Sequence, residues 1–504
     1  MFDVFGLITV LKKHIQKTDI LLAVVAIISY FITRLINLTK FPIFTDEGIY
    51  IHWAKIAWHD ASWRFISLTD GKQPLQTWGT IPFLKLFPQD ALLAGRLFSV
   101  ATGFVALIGM FAFLYYLFGK KTAWIGTFVY LFTPFFLFYD RLALTDSAVN
   151  AFFILTLLFS IMLARTIRLD VALIFGIVAG LSLLTKSSAR IFLALSALAP
   201  MLFFQKNLKK LIQNSINYFI LFAAASFLAL VMYNIQRLSP FFHYIAEKNK
   251  TFVMTFAEFR ADPFASFFGN LKLIPYYVAA EMGYILAALG LLGLILLWQK
   301  QKRLFFYLFV WIIVPYLALS FFSKVVFPRY LIFFASLFTI SASYFLSNLK
   351  NKQTFYVSVI LVTVSFVIFD LAILYKPKSI PLPPVDRGQY IEGVTAGWGV
   401  GEIVGFAREK SKEKPVILVA EGNFGLIADM LDVFLRPGDN VSIKGYWPLG
   451  EKELLENQPL IEENKVYVVF SHRSEFPQGW PIKFVKKYEK PNNKSAYYLY
   501  ELTY

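Results

Sequence analysis

Two carboxylates, Asp46 and Glu47, stand side by side in the segment TDEGIY, and a solitary lysine, Lys72, follows in GKQPLQTW. Neighbouring residues on a helix point about 100° apart, so the pair cannot share one proton. One can face a substrate as a general base while the other fixes backbone or a basic group. An ordinary helix start accounts for the same residues, with Thr45 as cap and acids in the first turn. Lys72 precedes Gln73-Pro74, where the backbone is extended or turning, and offers a compact cation suited to a phosphate. A second acidic segment, YDRLALTDSAV, carries Asp140, Arg141 and Asp146; helix capping by Thr145 and Asp146 is its bland explanation. Lys186 and Arg190 lie in TKSSAR, and Arg329 and Tyr330 in FPRYL. Snorkelling explains each cation singly, whereas several beside carboxylate loops suit an anionic headgroup. His52 and His59 are seven residues apart, so one helix face can present both. A metal site would need Asp46 or Glu47 as well, and nothing in the spacing fixes that shell. Metal use stays open, with a divalent cation the kind to consider.

The elements that must hold these groups are membrane spans. Of 504 residues, 57% are hydrophobic and 18% aromatic, and the mean hydropathy is +0.58, values of a polytopic membrane protein. Eleven apolar runs are expected as spans, near 19–37, 92–118, 122–139, 147–164, 171–184, 191–204, 213–233, 276–298, 304–322, 329–348 and 353–375; the fifth and sixth are short and read equally as halves of a broken pair around Thr185–Arg190. Residues 74–87 are too short and interrupted to cross and are expected to lie at the interface or to re-enter. The net charge of +17 does not indicate nucleic acid, because the basic excess sits in short connections between spans. Lys12, Lys13 and Lys17, then Lys120 and Lys121, Arg165 and Arg168, Lys206, Lys209 and Lys210, Lys300, Lys302 and Arg303, and Lys350 and Lys352 recur at every second connection. This places the N-terminus in the cytoplasm and the candidate residues outside. The first apolar run has no cleavage site after it and reads as a retained anchor. Cysteine is absent, which excludes disulfides and thiolate metal sites.

The reading divides the chain into a membrane domain at 1–375, whose first outer loop is 38–91, a Pro-rich linker at 376–389 and a soluble α/β domain at 390–504 on the outer face. Strands are expected at 415–420, 465–470, 484–488 and 496–502, and helices near 400–410, 423–431 and 451–456.

At these motifs the chain resembles the polyprenyl-phosphate-dependent glycosyltransferases of the GT-C fold, in the branch of protein O-mannosyltransferases and lipid A aminoarabinose transferases. TDEGIY is similar to that branch's Asp-Glu motif, GKQPLQTW to its Lys-x-Pro segment, YDRLALTD to its Arg-x-x-x-x-Asp signature and FPRYL to its Arg-Tyr motif. The resemblance covers roughly residues 10–375; the segment YIEGVTAGWGVGEIV also resembles bacterial members, without an assigned chemistry. It implies an inverting transferase of the plasma (inner) membrane that takes a monosaccharide from a polyprenyl-phosphate donor to a hydroxyl on a lipid, glycan or protein. In that scheme Asp46 is the base, and Lys72, Lys186, Arg190, Arg329 and Tyr330 bind the phosphate. Glu47 and Asp146 complete the catalytic set, orienting loop and acceptor together with Asp140 and Arg141. Gln73 departs from the family pattern, so the sugar is open. A transporter or lipid flippase is the alternative, although neither repeat symmetry nor midplane binding groups are visible; a non-catalytic receptor or assembly factor is a third.

Overall fold

The structure, a computed structural model, describes residues 16–203, 207–422, 426–473 and 475–504. It is a bundle of apolar helices with a small sheet domain at its C-terminal end. The bundle begins with α1 (Lys17–Leu35), followed by α2 (Thr45–His59) and α3 (Leu75–Leu86). Next come α4 (Ala91–Phe118), α5 (Lys120–Phe132), α6 (Pro134–Tyr139), α7 (Asp146–Thr166), α8 (Leu169–Thr185) and α9 (Ala189–Ser196). The second half contains α10 (Leu208–Asn234), α11 (Tyr244–Phe252), α12 (Phe267–Met282), α13 (Tyr284–Lys300), α14 (Lys302–Phe322), α15 (Ile332–Asn348) and α16 (Lys352–Tyr375). Lys12, Lys13 and Lys206 of the charge pattern, and the start of the helix expected at 423–431, lie outside the described residues.

Seven helices among the described residues are long and apolar enough to cross a bilayer, or eight if a bent pair is one span, against the eleven expected. Backbone chemistry explains the shortfall. The run at 122–139 breaks at Thr133 because Pro134 has no N–H to give and disfavours helix in the residue before it, leaving α5 and α6. The runs at 171–184 and 191–204 form helices shorter than 18 residues. The run at 276–298 is two helices meeting at 112°, hinged on Gly283 with φ of 89°, a conformation that glycine adopts without strain.

After the linker, α17 (Val400–Lys410) and α18 (Ile427–Val433) cover one face of a five-stranded sheet. Its strands are β1 (Val416–Glu421), β2 (Val441–Tyr446), β3 (Lys465–Phe470), β4 (Ile482–Glu489) and β5 (Ala496–Leu502). Their order is β2-β1-β3-β5-β4, the first three parallel and the last two antiparallel to their neighbours. β1 is buried along its whole length, as a central parallel strand must be. β2, absent from the sequence reading, is a half-exposed edge strand.

The sheet domain also grips the bundle. In the β4–β5 hairpin, the Lys490 ammonium donates to the carbonyls of Gly393 and Val394, at 3.0 and 2.9 Å. Lys494 and Asn492 both reach Glu392. The strap so held, residues 389–397, then binds the start of α2: Thr45 N–H and its hydroxyl donate to the Thr395 carbonyl (3.1 and 2.8 Å), and Gly397 N–H donates to the Ile43 carbonyl (2.8 Å). On the other flank of α2, a Cβ on Gly48 would sit 2.9 Å from Met430 Cγ and 3.1 Å from its nitrogen, so α2 and α18 meet backbone to backbone.

Candidate active site

Everything turns on how the chain between α1 and α2 is held, because Asp46 lies one residue into α2. Residues 36–44 expose carbonyls with no helix to absorb them, and two buried guanidiniums do so. Arg141 donates to the carbonyls of Thr33, Arg34, Ile36 and Asn37, at 2.7–3.1 Å. Its charge therefore sits at the carboxyl end of α1, where the helix dipole favours a cation. Arg96 donates to the carbonyls of Leu38, Phe41 and Pro42, and its remaining two N–H groups form a fork onto Glu47, both at 2.8 Å. All five of its donors are used. Glu47 also accepts from the backbone N–H of Phe44 (2.9 Å) and Ala143 (2.7 Å). Asp140 is buried against Arg34 (3.2 Å) and accepts from the Ser147 hydroxyl (2.7 Å).

Asp46 is turned the other way, into a cavity of about 740 Å³. Its Oδ1 accepts from Lys72 Nζ at 3.2 Å and its Oδ2 meets Arg329 Nη2 at 2.9 Å. Burial works against the charged carboxylate, but Lys72 and Arg329 outweigh it and hold Asp46 well below the usual carboxylate range. Burial likewise opposes the Lys72 charge, and Asp46, Tyr50 and Asp70 overcome that. The Lys72 loop is itself fastened: Asp70 lies 3.4 Å from Lys72 and 2.6 Å from Lys248 of α11. Between them Gly71 has φ of 62°, and a Cβ there would run into the carbonyl oxygen of Tyr244, so glycine alone fits.

Across the cavity Asp146 opens α7 and meets Lys186 Nζ at 2.9 Å. That ammonium also rests 4.0 Å from the centre of the Tyr330 ring, within cation–π range. Arg190 donates to the Tyr233 hydroxyl at 2.6 Å and has no carboxylate partner among the described ion pairs. Five cations (Lys72, Lys186, Arg190, Lys248, Arg329) thus face two carboxylates, a surplus suited to an anionic ligand. The far wall is apolar, with Pro315, Leu319, Phe322 and Phe333.

The structure brings Asp46, Lys72, Asp146, Lys186, Arg190, Arg329 and Tyr330 together on this one cavity. Glu47, expected among the catalytic groups, is corrected: it is fully buried outside the cavity, because Arg96 claims it. Asp140 and Arg141 also lie outside: Asp140 holds Arg34 and Ser147, and Arg141 holds backbone carbonyls. His52 does not join Asp46; its Nδ1 lies 2.8 Å from Asp432 in α18. Among the described residues no cluster of three His, Asp or Glu side chains is arranged to hold a metal. Sequence reasoning noticed Arg96 only as a charge near the end of an apolar run and gave it no role, and it missed Gln389 and Lys248, which line the cavity.

Residues 72–234 match the family model described as dolichyl-phosphate-mannose-protein mannosyltransferase. Among curated proteins no sequence match is significant. ArnT from Cupriavidus metallidurans in the apo state is similar in structure over 96% of this chain and 97% of that one, at 14% identity and a TM-score of 0.60. The same enzyme bound to undecaprenyl phosphate matches over equal shares at 15% identity and a TM-score of 0.60. The Archaeoglobus fulgidus oligosaccharyltransferase covers 89% of this chain and 67% of its own, at 13% identity and a TM-score of 0.50. At such identities the structural likeness speaks for fold, and the family model speaks for the segment holding Lys72, Asp146, Lys186 and Arg190. The chain thus shares the GT-C fold of ArnT, and its residues 72–234 are similar to the dolichyl-phosphate-mannose-protein mannosyltransferases.

Proposed function

We propose that the protein moves one sugar from a polyprenyl-phosphate carrier to a hydroxyl acceptor, inverting the anomeric centre, at the extracytoplasmic face of the plasma (inner) membrane. The N-terminus is then cytoplasmic and the sheet domain outside, as the basic connections require. The acceptor oxygen attacks the anomeric carbon while the bond from that carbon to the phosphate oxygen breaks. Its electron pair leaves with polyprenyl phosphate, and the acceptor's proton passes to Asp46. Negative charge grows on the leaving phosphate, next to Lys72, Arg329, Lys186 and Arg190, which stabilise it where it develops. The apolar wall takes the first isoprene units, and Asp146 orients the acceptor. ArnT, of the same fold, has been seen with undecaprenyl phosphate, which supports a carrier of this chemistry.

The observation that carries the reading is a carboxylate touching two cations in a cavity with one ionised and one apolar wall. It also suggests how a weak base becomes adequate. With the cavity empty of phosphate, Lys72 and Arg329 are spent on Asp46 and depress its basicity. A bound phosphate competes for both, so Asp46 gains proton affinity when the donor is in place. The acid limb of kcat/KM, a property of the free enzyme, should then lie below the usual carboxylate range, and that of kcat should lie higher. The direct test is Asp46→Asn in the full-length protein, assayed for transfer from undecaprenyl-phosphate-linked sugars. A loss of ~10²–10⁴-fold is expected, with undecaprenyl phosphate still bound; undiminished transfer would refute the assignment.

A further inference from the structure

Both carboxylates of the cavity are paired with cations, but an amide in its wall has an oxygen without a donor. Gln389 lies in the π-helical turn Gly388–Glu392, at the end of the linker, and lines the same cavity as Asp46, Asp146 and Arg329. Its Oε1 is shut off from solvent and has no donor within reach. An unmet buried acceptor costs stability, and an apolar side chain of equal size would avoid that cost. The backbone beneath it is not free to drift. The Gln389 carbonyl accepts from the Thr395 hydroxyl at 2.7 Å, and the Thr395 carbonyl holds Thr45, the residue before Asp46. Tyr390 adds a ring contact with Phe44 at 4.6 Å. Residues 389 and 46 are therefore fixed in one frame of short hydrogen bonds, on the sides of one chamber.

A primary amide offers one acceptor and two donors without charge. Its terminal torsion is broad and two-fold, so either end can be presented to the cavity. Charged groups suit the phosphate; a neutral donor–acceptor suits a hydroxyl. We propose that Gln389 is a specificity-determining residue that hydrogen-bonds a carbohydrate hydroxyl beside Asp46. This rests on the transfer reaction proposed above and adds to it what the sugar must carry at one position. The hydroxyl belongs either to the sugar on the donor or to the acceptor, and the experiment separates the two.

The test uses full-length protein with undecaprenyl-phosphate-linked mannose, glucose and galactose as donor probes. Whichever is consumed fastest is compared with its monodeoxy analogues, in wild type, Gln389→Ala and the length-matched Gln389→Met. The expected result is that wild type disfavours one deoxy donor by ~10-fold or more, about one neutral hydrogen bond. Both variants should slow the complete sugar by that factor, leave the deoxy donor unchanged, and bind undecaprenyl phosphate as wild type does. If the discrimination instead falls on a deoxy acceptor and vanishes in the variants, the hydroxyl is the acceptor's and the assignment of Gln389 stands. Variants that keep the wild-type discrimination, or that slow complete and deoxy substrates alike, overturn it while the transfer reaction survives. Wild type that transfers from no lipid-linked sugar overturns both.

Discussion

Asp46 and Glu47 are consecutive residues of one helical turn, and the structure gives them opposite fates. Glu47 is sealed from solvent with Arg96 and five backbone groups around that pair; Asp46 reaches into the chamber and shares two cations that line it. The same division runs through the second acidic segment, where Asp140 is sealed with Arg34 and Asp146 faces Lys186 at the cavity. A carboxylate that is buried and saturated builds the frame. One that is held only by groups a substrate can take over is available for chemistry. Sequence neighbours fall on either side because a helix turns them about 100° apart.

This contrast can be broken from either side. Asp46→Asn should cut transfer by ~10²–10⁴-fold and cost less stability than the loss of a sealed pair, since Asp46 and Lys72 keep some exposure to the cavity. Arg96→Met should do the reverse in kind: an uncompensated buried Glu47 and freed loop carbonyls cost about 3–5 kcal/mol, seen as a lowered melting temperature in detergent. Equal stability losses in the two variants would erase the distinction. A smaller effect is expected at Lys72→Met, where one charge-assisted contact to phosphate is worth about 1.5–3 kcal/mol. Donor kcat/KM should fall ~10–100-fold with the fold intact, measured at a fixed acceptor concentration. A variant that bound undecaprenyl phosphate as tightly as wild type would remove Lys72 from the phosphate site.

What was legible in the sequence follows from what charges cost in a membrane. Asp46, Lys72, Asp146, Lys186, Arg190 and Arg329 were visible because ionised groups among apolar runs must have a reason to be there. Which of two adjacent acids faces the chamber was not visible, because the choice is made by Arg96, 49 residues away. Gln389 was invisible for the opposite reason: it is neutral, ends a proline-rich linker and is brought to the cavity by the strap that binds Thr45. The polytopic helical class and four of the five strands were readable from apolar runs. The number of spans was not, since helix breaks at Thr133 and Gly283 are decided by single backbone positions. The edge strand VSIKGY escaped because half of it is solvated and it carries no apolar run.

The smallest predicted effect concerns how the sheet domain steadies the helix that carries Asp46. His52 Nδ1 lies 2.8 Å from Asp432, whose carboxylate also accepts from Lys55 at 2.9 Å, and Asp429 stands 3.8 Å from His52 Nε2. Burial opposes a charge on His52, but the hydrogen bond and charge of Asp432, with Asp429 behind it, prevail over this and over Lys55, raising its pKa. Burial also opposes the Asp432 charge, and His52 and Lys55 bring that carboxyl down to about 2. A raised histidine contributes its full stabilisation below its unfolded value of ~6.5 and loses it as pH climbs through the higher folded value. The depressed aspartate contributes fully above ~3.9 and loses its share as pH falls towards 2. Contact between α2 and α18 should thus be firmest between pH ~4 and ~6.5 and loosen at alkaline pH, by at most about 1 kcal/mol for a half-exposed pair. Amide hydrogen exchange in residues 427–433, corrected for its intrinsic pH dependence, should show protection falling from pH 6 to pH 8.5. In His52→Gln, protection should be pH-independent over that range and match the alkaline wild type. Because Asp46 lies in the first turn of α2, donor turnover should decline over the same interval in wild type and stay flat in the variant; a decline of equal size in both would place the titrating group elsewhere.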